Sequence, residues 1–361
     1  MSIAARVAAG LLILFLVAKL HRRLFTRGPK SYLPYDLVGI IFPAQIFLNF
    51  RRRTLLSHLQ RLLQRYSGTF VVNILGQDYL FTHDVHNIQH ILKLQFHSFS
   101  VAADRTHLFQ PLSTRGVLTL DGEAWHASRE QLRRQFSQQR AMVDLDMHER
   151  HIQNLIEKLR LAHGEKINLK DYFVSLVQDS HSEFVLGRLV GSLAVNQLSE
   201  RREFSKLITY TTGTLAKKGF AGPFHWLVGR HRFIRTCAVL NRYIEKHVFQ
   251  ALGQRGLAKE KPTMSSTSSF IHCLTAGETD PISLRDQASN VLFAGVDTMT
   301  STLNSTLWLL ARDEKVYRKL RQEVLEICGQ KPPSYDQIKR LKYLRYVLSE
   351  GEISRHKINS S

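Results

Sequence analysis

"FAGVDTMTS", Phe293 to Ser301, lies inside "DPISLRDQASNVLFAGVDTMTSTLNSTLWLLARD", Asp280 to Asp313, whose apolar spacing predicts one long buried helix. Gly295, Asp297, Thr298 and Thr300 are all poor helix formers, so the helix must use the space and polarity they bring. Ala294 and Gly295 remove bulk and let something flat approach the backbone. Thr298 follows Ala294 by one turn, so its hydroxyl can bond that carbonyl, loosening the helix and leaving room for a water or a small ligand. Asp297 adds an acid and base, which makes the stretch a groove with a proton route. A close crossing of two helices at a small residue would also explain the glycine. A Ser283-to-Asp286 capping pattern opens the predicted helix, which ends near Leu310.

A second pattern lies upstream in "DGEAWHASREQLRRQF", Asp121 to Phe136. Trp125 and Arg129 are one helical turn apart, so the indole N–H and the guanidinium leave one face. Both only donate, and arginine prefers a planar two-oxygen acceptor, which suits a carboxylate of a ligand. A half-buried tryptophan beside a solvated arginine is the plainer alternative. His83, His86 and His90 share a helix face, as do His148 and His151, but no further ligand converges on either set and no metal is expected. Nucleophile-elbow, phosphate-loop and dinucleotide-binding signatures are missing.

The 361 residues carry 50 Lys+Arg against 30 Asp+Glu, a formal net charge of +20 that calls for an anionic partner or surface. Nucleic acid is not expected, because the basic residues are scattered, with short clusters only at Arg51 to Arg53 and at Arg133 and Arg134. Membrane lipid or an acidic protein fits better. Three cysteines, Cys237, Cys273 and Cys328, stand in helix-like surroundings without close pairing, which suits a reducing compartment.

"IAARVAAGLLILFLVAKL", Ile3 to Leu20, would span roughly 27 Å as a helix, close to the hydrocarbon thickness of a bilayer. Arg22, Arg23, Arg27 and Lys30 follow at once, so the positive-inside rule keeps the body cytosolic. Residues 1–27 are therefore expected to be a single-pass anchor, with a cleaved signal peptide as the alternative. Residues 28–66 read as a proline-bearing connector (Pro29, Pro34, Pro43) and a first helix, 67–350 as the main body, and 351–361 as an unrelated polar tail. "TFVVNILGQDYLFT" predicts two strands around a Gly76-Gln77-Asp78 turn, after which Asp84 caps a helix to about Leu94. The rest is helical, broken at "RGVLTLDG", "LAHGEKINL", "KKGFAGPFHW" and Gly253 to Ser269. The expected class is mainly α with a small β-sheet, α+β.

Together these residues resemble the cytochrome P-450 family of membrane-anchored haem-thiolate monooxygenases. "AGVDTM" (Ala294 to Met299) is similar to the family's oxygen-binding motif, and "WHASR" (Trp125 to Arg129) to its Trp-x-x-x-Arg. "LKYLRYVLSE" (Leu341 to Glu350) resembles the lead-in to its Glu-x-x-Arg helix. "GTFVVNILGQDYLFT", "GVLTLDGEAW" and "RRQFS" are most similar to fungal alkane and fatty-acid hydroxylases. The resemblance implies a cytochrome P-450-like helical fold lacking its C-terminal part, and haem as cofactor. It implies Trp125 and Arg129 at the haem propionates, Ala294 and Gly295 flanking the haem face, and Asp297 with Thr298 delivering protons to bound oxygen.

It also implies an apolar substrate (fatty acid, alkane or secondary metabolite), an NADPH-dependent reductase as partner and residence in the endoplasmic reticulum membrane. Two departures stand out. Met299 replaces a hydroxyl residue, and Ile353 stands where the Glu350 motif needs arginine, with Glu352 to Arg355 matching one frame late. None of the three cysteines has the glycine and arginine setting of the family's iron ligand, so the chain is expected to be truncated before that loop and inactive. The alternative of another class is a non-enzymatic, membrane-bound lipid-binding or interaction protein.

Overall fold

The computed structural model describes residues 39–74, 77–137, 144–187, 199–257 and 269–358, together with Ile13 and Val17. The predicted anchor, residues 1–27, lies outside them apart from those two residues, and no described helix is long and apolar enough to cross a membrane. The chain forms two compact units, one of residues 1–99 with 356–361 and one of 100–355.

In the first unit, α1 (Ile41–Arg51) and α2 (Leu55–Arg65) precede strands β1 (Thr69–Ile74) and β2 (Gln77–Thr82), which pair antiparallel. There are thus two helices where one was expected. Pro43 is no connector residue: it sits in the first turn of α1, where its missing N–H costs nothing. Gln77 and Asp78 are not turn residues either, for Gln77 pairs with Ile74 and Asp78 with Asn73; Gly76, the other residue of the predicted turn, lies outside the described residues. The Asn73 amide donates to the Asp78 carboxylate at 2.8 Å, which holds that register. Phe70 stacks on its cross-strand partner Phe81 at 5.3 Å and packs with Phe42, Leu62 and Val72 into a small core. As expected, Asp84 caps α3 (Val85–Gln89), accepting from Asn87 N at 2.9 Å, and the helix runs on to Leu94 as one wide π turn.

The second unit is helical: α4 (Ala102–Phe109), α5 (Gly122–Ser137), α6 (Leu145–Leu161), α7 (Leu169–Leu186), α8 (Ser199–Ala221), a 3-10 turn (Gly222–Leu227), α9 (Arg230–Leu257), α10 (Phe270–Leu274), α11 (Pro281–Leu310), α12 (Glu314–Cys328), α13 (Tyr335–Arg340) and α14 (Lys342–Ile358), of which the part to Arg355 belongs to this unit. With the hairpin of the first unit this gives the expected mainly α architecture with a small sheet. Its core is built around α11, whose Leu284, Ala288, Leu292 and Val296 recur at helical spacing and meet Phe233, Leu240 and Ile244 of α9. Three predicted breaks move. Lys217 to Ala221 remain in α8, α9 continues past Gly253 to Leu257, and residues 351–358 of the supposed tail extend α14.

The long helix ends at Leu310 as its periodicity predicts, but Ser283 does not cap it. Asp280 does, accepting from Ile282 N and Ser283 N ahead of a proline at the first helical position. Asp286, the other half of the predicted capping pattern, is wholly buried and serves a different purpose. It accepts from the amides of Thr114 at 2.7 Å and Arg115 at 2.8 Å, and pairs with Arg285 at 2.7 Å. Arg285 in turn reaches Glu245 of α9, also at 2.7 Å. The loop before α5 is thereby tied to the start of α11, and Gln287 adds to the tie by accepting from Val117 N and donating to Ser128 of α5.

Removing a buried carboxylate that holds two backbone amides and a guanidinium leaves both amides unsatisfied and Arg285 with Glu245 alone. Asp286→Ala is expected to lower the free energy of unfolding by about 3–5 kcal/mol in urea denaturation. A loss below about 1 kcal/mol would show that the loop is held by other contacts.

Candidate functional site

Midway along α11 the helix shows two different sides. Phe293, Val296 and Thr300 are buried, whereas Ala294, Asp297, Thr298 and Met299 are exposed. The Thr298 hydroxyl turns back along the helix and donates to the Ala294 carbonyl at 2.8 Å and, more weakly, to that of Gly295 at 3.3 Å. Drawing a side chain onto a carbonyl already used by the helical ladder loosens that turn. The result is an open strip where a methyl group is the largest obstacle at 294 and a hydroxyl is fixed one turn on. Asp297 stands beside it. Although exposed, it is partly desolvated by the surrounding protein, which raises its carboxyl above the usual carboxylate range against the opposing pull of Lys170.

Gly295 does not share this open strip. The position a Cβ would take there is filled by the imidazole of His181 from α7, whose Cε1 and Cδ2 would lie 2.6 and 2.7 Å away and whose Nε2 would lie closer still. His181 Nε2 is 2.8 Å from the Val291 carbonyl. A carbonyl only accepts, so Nε2 carries the proton and the neutral Nε2–H tautomer is fixed. Gly295 thus lets a ring from α7 lie flat on α11, which is the close helix crossing left open by the sequence.

The second predicted pair lies on α5. The Arg129 guanidinium rests over the Trp125 indole at 5.2 Å, with Trp125 half-buried and Arg129 exposed. The stacking pre-sets the guanidinium while leaving its donors free to turn outward. Trp125 and Arg129 are thus brought together, as are Ala294 and Thr298, and the two elements are joined by the Gln287 to Ser128 hydrogen bond, Ser128 preceding Arg129. His151 is a buried partner of Glu183 at 2.8 Å, to which Arg150 also binds at 2.7 Å, so this histidine is structural. Sequence reading missed His181, Asp286 and Gln287. Only Asp280-Pro281, a stronger helix-start signal than Ser283, could have freed Asp286 for another role.

The sequence between residues 35 and 351 matches the family model for cytochrome P450. The chain belongs to the cytochrome P450 family. It is 31% identical over 296 residues to cytochrome P450 52A13 of Debaryomyces hansenii, covering 78% of this chain and 56% of that one. To cytochrome P450 monooxygenase fsdH of Fusarium heterosporum it is 30% identical over 332 residues, covering 88% and 57%. The chain thus spans a little over half the length of these relatives. The crystal structure of the cytochrome P450DA heme domain superposes with a TM-score of 0.66 at 18% identity, covering 82% of this chain and 63% of that one, which establishes the fold.

A cytochrome P450 implies haem, and the residues can be tested against it. The exposed Arg129 guanidinium, stacked on Trp125, is of a chemistry suited to a propionate, and Ala294 with Thr298 offers a surface that a flat macrocycle can approach. The cysteines fit poorly. Cys237 and Cys273 are 0% and 1% exposed, and burial pushes their thiols up to about 12 and about 11. An iron ligand needs the opposite, an accessible thiolate. Cys328 closes α12 at a half-buried position.

The crossing makes two predictions. Gly295→Ala, although alanine favours helix, is expected to cost about 1–3 kcal/mol because the His181 ring must move. Adding His181→Ala should recover part of that loss, giving a double-mutant cycle with coupling of at least about 1 kcal/mol, and additive losses would contradict the contact. His181 and His148 are both held below the ordinary histidine range, chiefly by burial. The unfolded chain therefore binds more protons than the native one between their native values and about 6.5. Stability should be full above about pH 6.5 and fall as pH drops below it, with His181→Gln flattening the decline in urea midpoint between pH 7 and 5.

Proposed function

We propose that the chain is the oxygen- and substrate-facing part of a haem-thiolate monooxygenase that hydroxylates an apolar fatty acid, alkane or secondary metabolite with dioxygen. The observation that carries this reading is the open strip of α11, where Ala294 leaves room and Thr298 is fixed on the Ala294 carbonyl. Bound haem supplies the one-electron and oxygen chemistry. Trp125 and Arg129 would hold a propionate, their stacking keeping the guanidinium in place. Asp297, with its raised carboxyl, holds a proton closer to neutrality than a solvated aspartate does, and the Thr298 hydroxyl next to it can pass one on. Apolar surface further along α11, including Leu307 and Trp308, supports an apolar ligand.

The monooxygenase named among its relatives supports the reaction class. The net charge of +20 suits an anionic membrane and an acidic reductase face, with the body on the cytosolic side of the endoplasmic reticulum. Because burial keeps Cys237 and Cys273 as thiols, and Cys328 closes α12 without the glycine and arginine setting of the family's iron ligand, this polypeptide by itself is proposed to be inactive as an oxygenase.

Haem added to the purified 361-residue chain, reduced and exposed to carbon monoxide, is expected to give no thiolate-type absorption band. A thiolate-type band would refute the inactive part of the reading. Arg129→Ala should weaken haem retention about tenfold through loss of charge-assisted hydrogen bonds, and unchanged retention would remove Arg129 from the propionate role.

A further inference from the structure

The inward stripe of α8 turns polar where a core helix should stay apolar. Phe204, Ile208, Thr211, Thr214 and Lys218 recur every three or four residues and are all buried. Lys218 ends the stripe only 6% exposed, its ammonium 4.6 Å from the centroid of the Phe233 ring on α9. Lysine is almost never this buried unless paired. Among the described residues no carboxylate makes an ion pair with it. The Cys237 thiol interacts with it electrostatically, but burial holds that thiol protonated, so it supplies no negative charge.

The surroundings add more donors instead of an acid. His225, in the 3-10 turn after α8, stacks on His107 of α4 at 6.4 Å, and its buried Nδ1 has no hydrogen-bond partner. Thr211 Oγ1, on the stripe itself, is likewise buried without a partner. The field of Lys218 and His107 adds to desolvation in holding His225 below the ordinary histidine range. Lys218 and His225 thus stand near one another beside the Phe233 wall, with Thr211 two turns back on the same stripe, and a buried charge of one sign needs a counter-charge or pays heavy desolvation.

We propose that Lys218 is the internal counter-ion for the carboxylate of an otherwise apolar ligand, with the Thr211 hydroxyl and the His225 ring as additional hydrogen-bonding groups and Phe233 as the apolar wall. The inference rests on the apolar-ligand reading above and assigns that ligand an anionic end. A lysine that merely stabilises the last turn of α8 through the helix dipole is the competing explanation.

Calorimetric titration of the full 361-residue chain with dodecanoate and with dodecan-1-ol separates the two. Dodecanoate is expected to bind wild type about tenfold or more tighter than the alcohol, the size of one charge-assisted contact. Lys218→Met should abolish that preference while leaving alcohol binding unchanged, and Lys218→Arg should restore part of it. Equal affinity for the two ligands in wild type, no binding of either, or a preference that survives Lys218→Met would overturn the site. Lys218-dependent selectivity in a chain that retains no haem would leave this site standing and remove the haem reading.

Discussion

The contact on which this structure turns is a histidine lying flat against a glycine. His181 of α7 occupies the volume that any side chain at Gly295 would need, and its Nε2–H reaches the Val291 carbonyl of α11. The crossing is thereby fixed in distance by the missing Cβ and in register by one hydrogen bond. One turn further along α11, the Thr298 hydroxyl draws on the Ala294 carbonyl. The helix is braced by the His181 ring at one turn and loosened at the next.

Around this crossing the polar chemistry is spent on holding one loop. Asp286 gathers two amides and Arg285, and Gln287 bridges to Ser128, so the segment before α5 is anchored to α11 by buried groups rather than by apolar contact. Gly116 yields room to the Asn290 side chain in the same region, where a Cβ would meet it. Such a network is costly when incomplete and rigid when complete, which suits a loop that must present α5 and its Trp125–Arg129 pair in a fixed pose.

Much of this could be read from sequence because it is periodic or local. The C-terminal limit of α11, the two strands, the Asp84 cap and the Thr298 hydroxyl bond all depend on residues within a few positions of each other. The errors have physical causes. Lys217 to Ala221 and Gly253 read as breaks in the sequence, yet packing of the flanking turns keeps both segments helical, and a Cβ at Gly219 or Gly253 would meet nothing. The crossing at Gly295 could not be given a partner because His181 is remote in sequence and of a type that declares no contact. Lys218 was hidden in a segment read as a loop, so its place on a buried stripe could not be seen.

The most direct test of the account is the state of the His181 ring, read by long-range proton–nitrogen NMR of the histidine-labelled chain at pH 7. The account predicts a neutral ring with its proton on Nε2, slow exchange of that proton, and titration below the ordinary histidine range. A ring that titrates near 6.5 with a freely exchanging proton would place His181 in solvent and contradict the crossing of α7 on α11.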